Sequence, residues 1–153
     1  MIEYRPATSL DIPLLERMYL NEIEDHMERA HRFAEDLVLR YKTIIAIKED
    51  VVHGAVTWEP RGGLDDGVVE MIGLGVNEGF RRQGIASKLV ETMIQESSQF
   101  YVNNGYSLRV VLLFMERQNK TARKFYSANR FIEVATVPLL YPSDDATIWT
   151  RHL

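Results

Sequence analysis

A nearly continuous run of apolar residues, LRVVLLFM from Leu108 to Met115, most constrains what this chain can fold into. A strand with one solvated face alternates apolar and polar residues, and this run does not. The run is also far shorter than the roughly 18 apolar residues of a membrane span. It therefore predicts a strand that is covered on both faces in the middle of a sheet.

Strand-like segments and helical periodicities follow one another along the rest of the chain. The other predicted strands are Ile2–Arg5, Thr43–Lys48, Val51–Trp58, Val68–Val76, Phe131–Leu139 and Thr147–His152. The predicted helices are one that runs through Leu14, Leu15, Met18 and Tyr19, one over 21–39, and those at Gly84–Asn103 and Asn119–Asn129. Thr8 and Asp11 precede the first helix with the spacing of a capping box, and Glu49-Asp50 is the predicted turn of a hairpin. The order β-α-α-β-β-β-α-β-α-β-β predicts a mixed α/β or α+β sandwich.

Composition excludes several function classes. The 153 residues fit a single domain of common size, residues 1–153. A net charge of −4 gives no basic footprint for nucleic acid, and no stretch is apolar enough for a membrane span, so neither is an expected partner. The chain has no cysteine and no signal-peptide pattern at its start, which favours a cytoplasmic location. A second copy of the chain as a partner stays open.

The segment from Gly75 to Met93, GVNEGFRRQGIASKLVETM, combines a strand, a glycine-containing turn and a helix. A helix N-terminus offers unpaired amide groups and a positive dipole end, so it binds phosphate readily. The small residues Gly84 and Ala86 let the backbone approach an anion, and Arg81 and Arg82 add positive charge there. The pattern predicts a phosphate-binding turn, or else only a tight strand–helix turn.

Two common phosphate motifs are missing from this segment. The Walker pattern GxxxxGK[ST] is not met, and neither is the dinucleotide fingerprint GxGxxG. The strands also do not alternate with helices as they do in a dinucleotide-binding fold. Binding of a nucleotide such as ATP is therefore the least supported functional hypothesis for this segment.

Two blocks in the right order resemble the GNAT superfamily of acetyl-CoA-dependent N-acetyltransferases. The run Val76-x4-Arg81-x-x-Gly84-x-Ala86 resembles its acyl-CoA signature, and Asn119-x-x-Ala122-x-x-Phe125-Tyr126, ending in Phe131, resembles a second family motif. One long helix and one apolar strand separate the blocks, as in the family, and IEYRPATSLDIP resembles the family's usual opening. The resemblance covers almost the whole chain. It implies a GNAT-like fold with a central, mostly antiparallel mixed sheet of about six or seven strands flanked by about four helices.

The resemblance also implies acetyl-CoA as co-substrate, with no metal. The pantetheine arm is expected to bond the backbone of Leu74, Gly75 and Val76, where Gly73 and Gly75 fit either a β-bulge or close approach of a ligand. The remaining coenzyme-binding residues implied are Arg81, Arg82, Gln83, Gly84, Ile85, Ala86, Ser87, Asn119 and Arg123. Asn119 can equally cap the helix that it begins, and Lys124 beside Arg123 can equally be a solvated residue.

Tyr126 and Glu70 are the catalytic candidates. Tyr126 aligns with the tyrosine that many family members place near the coenzyme sulfur, so it is the general-acid candidate; otherwise it packs the last helix on the sheet. Glu70 lies six residues before Val76, where the histone-acetyltransferase branch carries its glutamate. It is the general-base candidate, with a solvated carboxylate or proton loss to water as the alternatives.

The chain departs from the family pattern at Arg130, where a glycine usually precedes the aromatic residue that matches Phe131. Either Arg130 or Asn129 is expected to take the left-handed conformation that ends the helix. The acceptor wall implied by the resemblance is formed by the first two helices and the last hairpin. Its candidate residues are Glu22, Glu24, Asp25, Glu28, Tyr141 and Trp149, with His31 more simply a surface residue.

The predicted function is transfer of an acetyl group from acetyl-CoA to a primary amine. The acidic first two helices favour a cationic amine or a lysine side chain, although an acidic solvent face is the commoner reason for such a pattern. The alternative from another class is a non-catalytic acyl-CoA-binding regulatory module.

Overall fold

The computed structural model describes residues 1–22 and 27–153, and within them the fold has seven strands and four α-helices. The strands are β1 (Glu3–Pro6), β2 (Lys42–Lys48), β3 (Val51–Arg61), β4 (Val68–Val76), β5 (Val110–Glu116), β6 (Ile132–Tyr141) and β7 (Asp144–His152). The helices are α1 (Ile12–Glu22), α2 (Met27–Leu39), α3 (Ile85–Asn103) and α4 (Lys120–Ala128). This is the order that the sequence pattern predicts, with boundaries that shift by a few residues.

The strands form one seven-stranded sheet in the order β1-β2-β3-β4-β5-β7-β6. The pairs β1–β2, β2–β3, β5–β7 and β6–β7 are antiparallel, whereas β4 and β5 are parallel. The parallel ladder pairs Val68–Glu70 with Val110–Leu112, and β4 then continues to Val76. The predicted class, a mostly antiparallel mixed sheet with about four helices, is confirmed.

The chain divides into two compact units, and the first comprises Met1–Glu59 and Gly73–Glu96. Its core gathers side chains of α1, α2, β2 and β3 that are at most 7% exposed: Leu15, Met18, Tyr19, Ala34, Leu37, Ile45, Ile47, Val52 and Ala55. The helical spacing in the sequence predicts this buried face of α1. Burial of each large aliphatic side chain contributes about 1.5–3 kcal/mol to the free energy of folding. The loss of conformational entropy when that side chain is ordered offsets part of this contribution.

The entry into α1 is held by a buried carboxylate. Asp11 accepts two hydrogen bonds from the Arg5 guanidinium, at 2.7 and 2.9 Å, and a third from the Thr8 amide at 2.7 Å. The predicted capping-box spacing is thereby confirmed, with Asp in place of the usual Glu. The Arg5 bonds are the main reason that the pKa of Asp11 lies below its ordinary value, against the opposing effect of burial.

The second unit comprises Pro60–Ile72 and Ser97–Leu153. In β5, Val111 and Leu113 are buried, as the apolar run predicts, but Phe114 is 38% exposed. The prediction of a strand covered on both faces is therefore wrong at its C-terminal half, because an apolar side chain does not itself show what covers it. Among residues 1–22 and 27–153, no helix is both long and apolar enough to cross a membrane.

Candidate functional site

The first unit contains the predicted phosphate turn, between the end of β4 and the start of α3. Arg81–Gly84 is exposed, and Ile85, the first residue of α3, is 2% exposed and anchors the helix. Arg82 and Gly84 have φ angles of 66° and 78°, so the chain turns through the left-handed region immediately before the helix. The first turn of α3, whose amides lack intrahelical partners, therefore follows directly on an exposed turn, which is the arrangement typical of an anion site.

Gly84 precedes the helix instead of lying inside it. The sequence predicts a helix that opens at Gly84, and the structure begins α3 at Ile85. A Cβ added at Gly84 would meet no described atom within 4 Å, so its left-handed φ, and not crowding, is what favours glycine here. Ala86 and Ser87 follow half-buried in the first turn, and Gln83 is exposed beside Gly84.

The end of β4 lies open in the same unit. Leu74, Gly75 and Val76 are half-buried and Gly73 is exposed, and a Cβ added at Gly73 would have no described atom within 4 Å. At Gly54 of β3, by contrast, an added Cβ would come within 2.9 Å of the Gly75 carbonyl oxygen. The backbone of β4 is therefore closely approached on its β3 side at Gly75 while the face at Gly73 is free, which suits a ligand laid along this stretch.

Arg81 is placed by the chain itself. Its Nε donates to the Val76 carbonyl oxygen at 3.0 Å, so the guanidinium is held over the turn. Arg82, next to it, is exposed. Both cations therefore lie on the turn that leads into the positive end of the α3 dipole, as the motif predicts.

The turn is also tied to β3 through residues that the sequence analysis does not single out. Asn77 follows Val76 and caps a 3-10 turn at Glu78–Phe80; its main-chain amide donates to the His53 carbonyl oxygen at 2.8 Å. Its side-chain amide donates to the Val52 carbonyl oxygen at 3.2 Å. The signal that could have pointed to Asn77 is its position between strand and turn, where a side chain able to bond the backbone is favoured.

The second unit contains α4, whose start and end are both capped. The Asn119 side-chain oxygen accepts from the Ala122 amide at 3.0 Å, which confirms the capping alternative. At the other end Arg130 has φ 69°, and the Phe131 and Arg130 amides bond the Tyr126 and Ser127 carbonyl oxygens at 2.9 and 3.3 Å. These are the bonds of a Schellman motif, with Arg130 in the place usually taken by glycine.

Tyr126 lies among aromatic rings of the second unit. Its ring meets those of Phe125 and Phe131 edge to face, with centroid distances of 5.2 and 5.5 Å. Burial raises the pKa of Tyr126 to about 12, so the phenol keeps its proton throughout the range in which proteins are studied. Tyr126 therefore packs against its aromatic neighbours, as one alternative predicts. Its role as general acid stays a prediction.

Glu70 is paired with a cation. Its carboxylate forms an ion pair and hydrogen bond with the Arg61 guanidinium, and its side chain is 15% exposed. Glu70, together with Glu116, adds to the effect of burial in raising the pKa of Tyr141. Glu70 is therefore not the freely solvated carboxylate that one alternative describes, because Arg61 neutralises its charge.

Arg123 also has partners within its own unit. Its guanidinium bonds the Glu133 carboxylate at 2.6 Å and the Arg117 carbonyl oxygen at 3.3 Å, and lies 5.4 Å from the centroid of the Trp149 ring. These contacts give Arg123 a structural role between α4, β6 and β7. Its predicted contact with coenzyme stays a prediction.

The implied acceptor wall is only partly described. Glu24 and Asp25 lie outside the described residues, as does the side chain of Glu22. Glu28 is exposed and pairs with Arg32 at 3.0 Å, on a solvated face of α2.

Two further residues test the expectations for this wall. Trp149 is 4% exposed, and its indole N–H donates to the Thr147 hydroxyl, so its placement on the wall is wrong. Thr147, Trp149 and Arg151 are buried and alternate with less buried residues, so Trp149 lies on the buried face of β7. His31 is half exposed and bonds Glu16, which raises its pKa, so the surface alternative holds.

No described group of three or more His, Asp or Glu side chains is arranged to hold a metal ion. The family model described as the acetyltransferase (GNAT) family matches residues 12–130, from the start of α1 to just beyond α4. This range includes the first motif block and the second block up to the residue before Phe131. No curated protein sequence matches the chain.

Solved structures share the fold over its full length. A GNAT-family protein from Desulfovibrio desulfuricans has a TM-score of 0.80 at 16% identity, with 99% of each chain covered. The ribosomal-protein-S18-alanine N-acetyltransferase of Escherichia coli has a TM-score of 0.77 at 17% identity, with 99% of this chain and 94% of that one covered. Arabidopsis thaliana NAA60, solved in complex with acetyl-CoA, has a TM-score of 0.73 at 20% identity, with 100% and 99% covered. At such identities the likeness establishes the fold.

Proposed function

The chain belongs to the GNAT family of acetyltransferases, and we propose that it transfers an acetyl group from acetyl-CoA to a primary amine. The observation that carries the proposal is the exposed turn Arg81–Gly84, with two left-handed residues directly before the N-terminus of α3. The acceptor class spans small amines, amino-acid derivatives and protein amines. Among the structural neighbours, the Escherichia coli protein is named for the alanine of a ribosomal protein, which is a protein amine.

The residues of the turn fit the anionic part of the coenzyme. The first amides of α3, the open backbone at Gly84 and the guanidinium of Arg81 offer hydrogen bonds and positive charge to a pyrophosphate. The open stretch Leu74–Val76 offers strand-like backbone groups to the pantetheine arm. The Asn119 side chain uses its oxygen in the cap, which leaves its amide nitrogen as the group to contact a ligand.

The coenzyme supplies an acyl group that is already activated as a thioester. The protein then has to orient it, stabilise the oxyanion, accept a proton from the incoming amine and place a donor at the departing sulfur. A backbone amide of Leu74–Val76 is proposed for the oxyanion. Glu70 or water is proposed to receive the amine proton.

Tyr126 is proposed as the donor to the sulfur. A thiol has a pKa near 8.5, about 3.5 below the pKa of about 12 that burial gives Tyr126. Complete transfer of the phenol proton to a thiolate is therefore uphill, while a hydrogen bond from the protonated phenol stabilises the developing charge. We therefore propose that the Tyr126 hydroxyl donates a hydrogen bond to the departing sulfur and that solvent then protonates the thiolate.

Glu70→Gln tests the proposed base. A base at Glu70 predicts a loss of kcat that is greatest at low pH, where the amine is most protonated, and partly recovered as pH rises. The measurement is the pH profile of kcat with one fixed amine. A loss that is uniform with pH would instead assign Glu70 to binding a cationic acceptor, and no loss would exclude both roles.

The function is tested by coenzyme binding and by turnover. Acetyl-CoA is expected to raise the melting temperature, because a ligand that binds only the native state stabilises it by about 2.7 kcal/mol at 100 times its Kd. ATP and NAD at the same concentration are expected to leave the melting temperature unchanged, and equal shifts from all three would contradict the coenzyme assignment.

A panel of amines, amino acids and peptides, read by release of free thiol, separates an enzyme from the alternative, a non-catalytic acyl-CoA-binding module. The Arg61–Glu70 ion pair is the observation that keeps this alternative, because it neutralises the candidate base.

A further inference from the structure

His53 occupies a β-bulge opposite β2. The pairing of β2 with β3 passes from Ile47↔Val52 directly to Ala46↔Gly54, so His53 is the extra residue on β3. A bulge re-aims the side chain that it contains and interrupts the regular alternation of faces. The bulge therefore determines where this imidazole points.

The imidazole points at the turn that precedes the coenzyme motif. Its ring stacks on Phe80, with centroids 3.6 Å apart and planes inclined by 6°. Phe80 is the residue immediately before Arg81, and His53 is only 8% exposed. The stack thus buries the imidazole against the last residue of the 3-10 turn.

Asn77 closes the other end of the same short loop. Its two amide groups bond the carbonyl oxygens of Val52 and His53, and its own carbonyl oxygen accepts from the Phe80 amide at 2.9 Å. The loop from 77 to 80 is therefore fixed to the bulge at both of its ends. The next four residues are the exposed turn that contains the left-handed Arg82 and Gly84.

The contact of His53 with the turn is the stack of its ring, and its Nδ1 takes no part in it. Its Nδ1 is buried and has no hydrogen-bond partner among the described residues, and the same is true of Asn77 Oδ1. Burial, assisted by the charge of Lys48, lowers the pKa of His53, which favours the neutral ring. An unsatisfied buried nitrogen destabilises a fold, whereas a phenylalanine at this position would stack without that penalty.

We propose that His53 is a positioning residue for the coenzyme turn, which acts through its stack on Phe80. The inference rests on the proposed function, since it assumes that residues 81–84 meet the coenzyme phosphates. In this arrangement the stack fixes the entry to α3, so that the amides are already oriented when the coenzyme arrives. Preorganisation of this kind raises affinity by removing the ordering cost from binding.

His53→Ala and His53→Phe together test the stack. His53→Ala is expected to raise the KM for acetyl-CoA about tenfold or more while kcat changes less than about twofold, because the turn is displaced and the chemistry is not. His53→Phe keeps the stack and removes the unsatisfied nitrogen, so it is expected to retain the parental KM and to melt at a higher temperature. A normal KM in a folded His53→Ala protein overturns the proposal. A KM for acetyl-CoA in His53→Phe as high as that in His53→Ala also overturns the proposal. That result would mean that the imidazole nitrogen, and not the ring stack, supports coenzyme binding.

The controls separate this role from general destabilisation and from the proposed function. Ile45→Val loosens the core of the same unit at a residue of β2 outside the bulge and the turn, and is expected to lower the melting temperature without a change in KM. Phe80→Ala is expected to raise KM as His53→Ala does, and the double variant no further, because the two rings act as one contact. Strict additivity of the two effects overturns the proposed coupling.

The two proposals fail in different ways. If the parent protein neither binds acetyl-CoA nor releases thiol, the proposed function fails. If the parent binds acetyl-CoA and His53→Ala has the same KM as the parent, only the positioning role fails.

Discussion

At the scale of single residues, Tyr126 is the clearest case of one side chain with two candidate roles. Its ring packs between those of Phe125 and Phe131, and its hydroxyl is held protonated by burial. Tyr126→Phe keeps the packing and removes the proton. We expect kcat to fall by about 10²–10⁴ with little change in KM for acetyl-CoA. Since the pKa is about 12, the factor should be the same from about pH 6 to about pH 10.

Tyr101→Phe is the matched control for that measurement. The Tyr101 hydroxyl donates to the Val68 carbonyl oxygen at 2.9 Å in the same unit, so its removal should cost about 1 kcal/mol of stability and leave kcat unchanged. A Tyr126→Phe protein as active as the parent would leave Tyr126 with its packing role alone.

Arg130 is strained where the helix α4 ends. Its φ of 69° places a residue with a Cβ in the left-handed region, within a Schellman motif that favours glycine. Arg130→Gly is expected to raise the free energy of unfolding by about 1 kcal/mol, measured by urea denaturation. Asn129→Gly is the control, because φ at Asn129 is −99° and its side chain bonds the Phe125 carbonyl oxygen. That change should destabilise, and a stabilising result there, or none at Arg130, would contradict the explanation.

At the scale of elements, the junction of β4 with α3 is the feature that bears on function. Gly84 has a left-handed φ in open surroundings, so any other residue there strains the backbone. The effect of charge is therefore measured by comparing two substitutions that strain it equally. Asn and Asp have nearly the same shape, and both tolerate this conformation better than other residues. Gly84→Asp is expected to weaken acetyl-CoA binding at least about tenfold more than Gly84→Asn, because only Asp sets a carboxylate against the phosphates.

The measurement is the Kd of each variant by titration calorimetry at two salt concentrations. The difference between the two variants should shrink at high salt, because exposed charges are screened. Equal Kd values for Gly84→Asp and Gly84→Asn would mean that the phosphates bind elsewhere.

At the scale of the whole molecule, acid stability depends in part on the carboxylate that holds the start of α1. The pKa of Asp11 is depressed mainly by Arg5, so the native state binds fewer protons there than the unfolded chain does. Its contribution is therefore complete above the ordinary carboxyl pKa, about 3.9, and is lost as pH falls through the lower native value. Asp11→Asn should cost about 2 kcal/mol at neutral pH, a moderate value because Arg5 is 32% exposed.

Urea denaturation from about pH 7 down to about pH 2 checks this expectation. The difference in unfolding free energy between the parent and Asp11→Asn should narrow as pH falls. Asp65→Asn, at an exposed loop carboxylate, is the control and should follow the parent at every pH. A difference that stays constant with pH would mean that shape and not charge makes Asp11 important.

Much of the architecture is determined by the sequence alone. The helical spacing of Ile85, Leu89 and Met93 predicts the buried face of α3, and all three are at most 2% exposed. The positions of the strands, the order of the elements and the glycine turn before α3 were predictable as well. These features are local: periodicity, turn composition and motif spacing are written in residues close together along the chain.

Only the tertiary structure decided which side chains meet. The Arg61–Glu70 pair, the burial of Trp149 and the stack of His53 on Phe80 depend on how strands and turns pair across the chain. A shift of register by one residue moves every side chain of a strand to the other face, and the bulge at His53 is such a local shift. No periodicity marks that bulge in advance, because its position depends on hydrogen bonds with a partner strand and with Asn77, which lies 24 positions after His53.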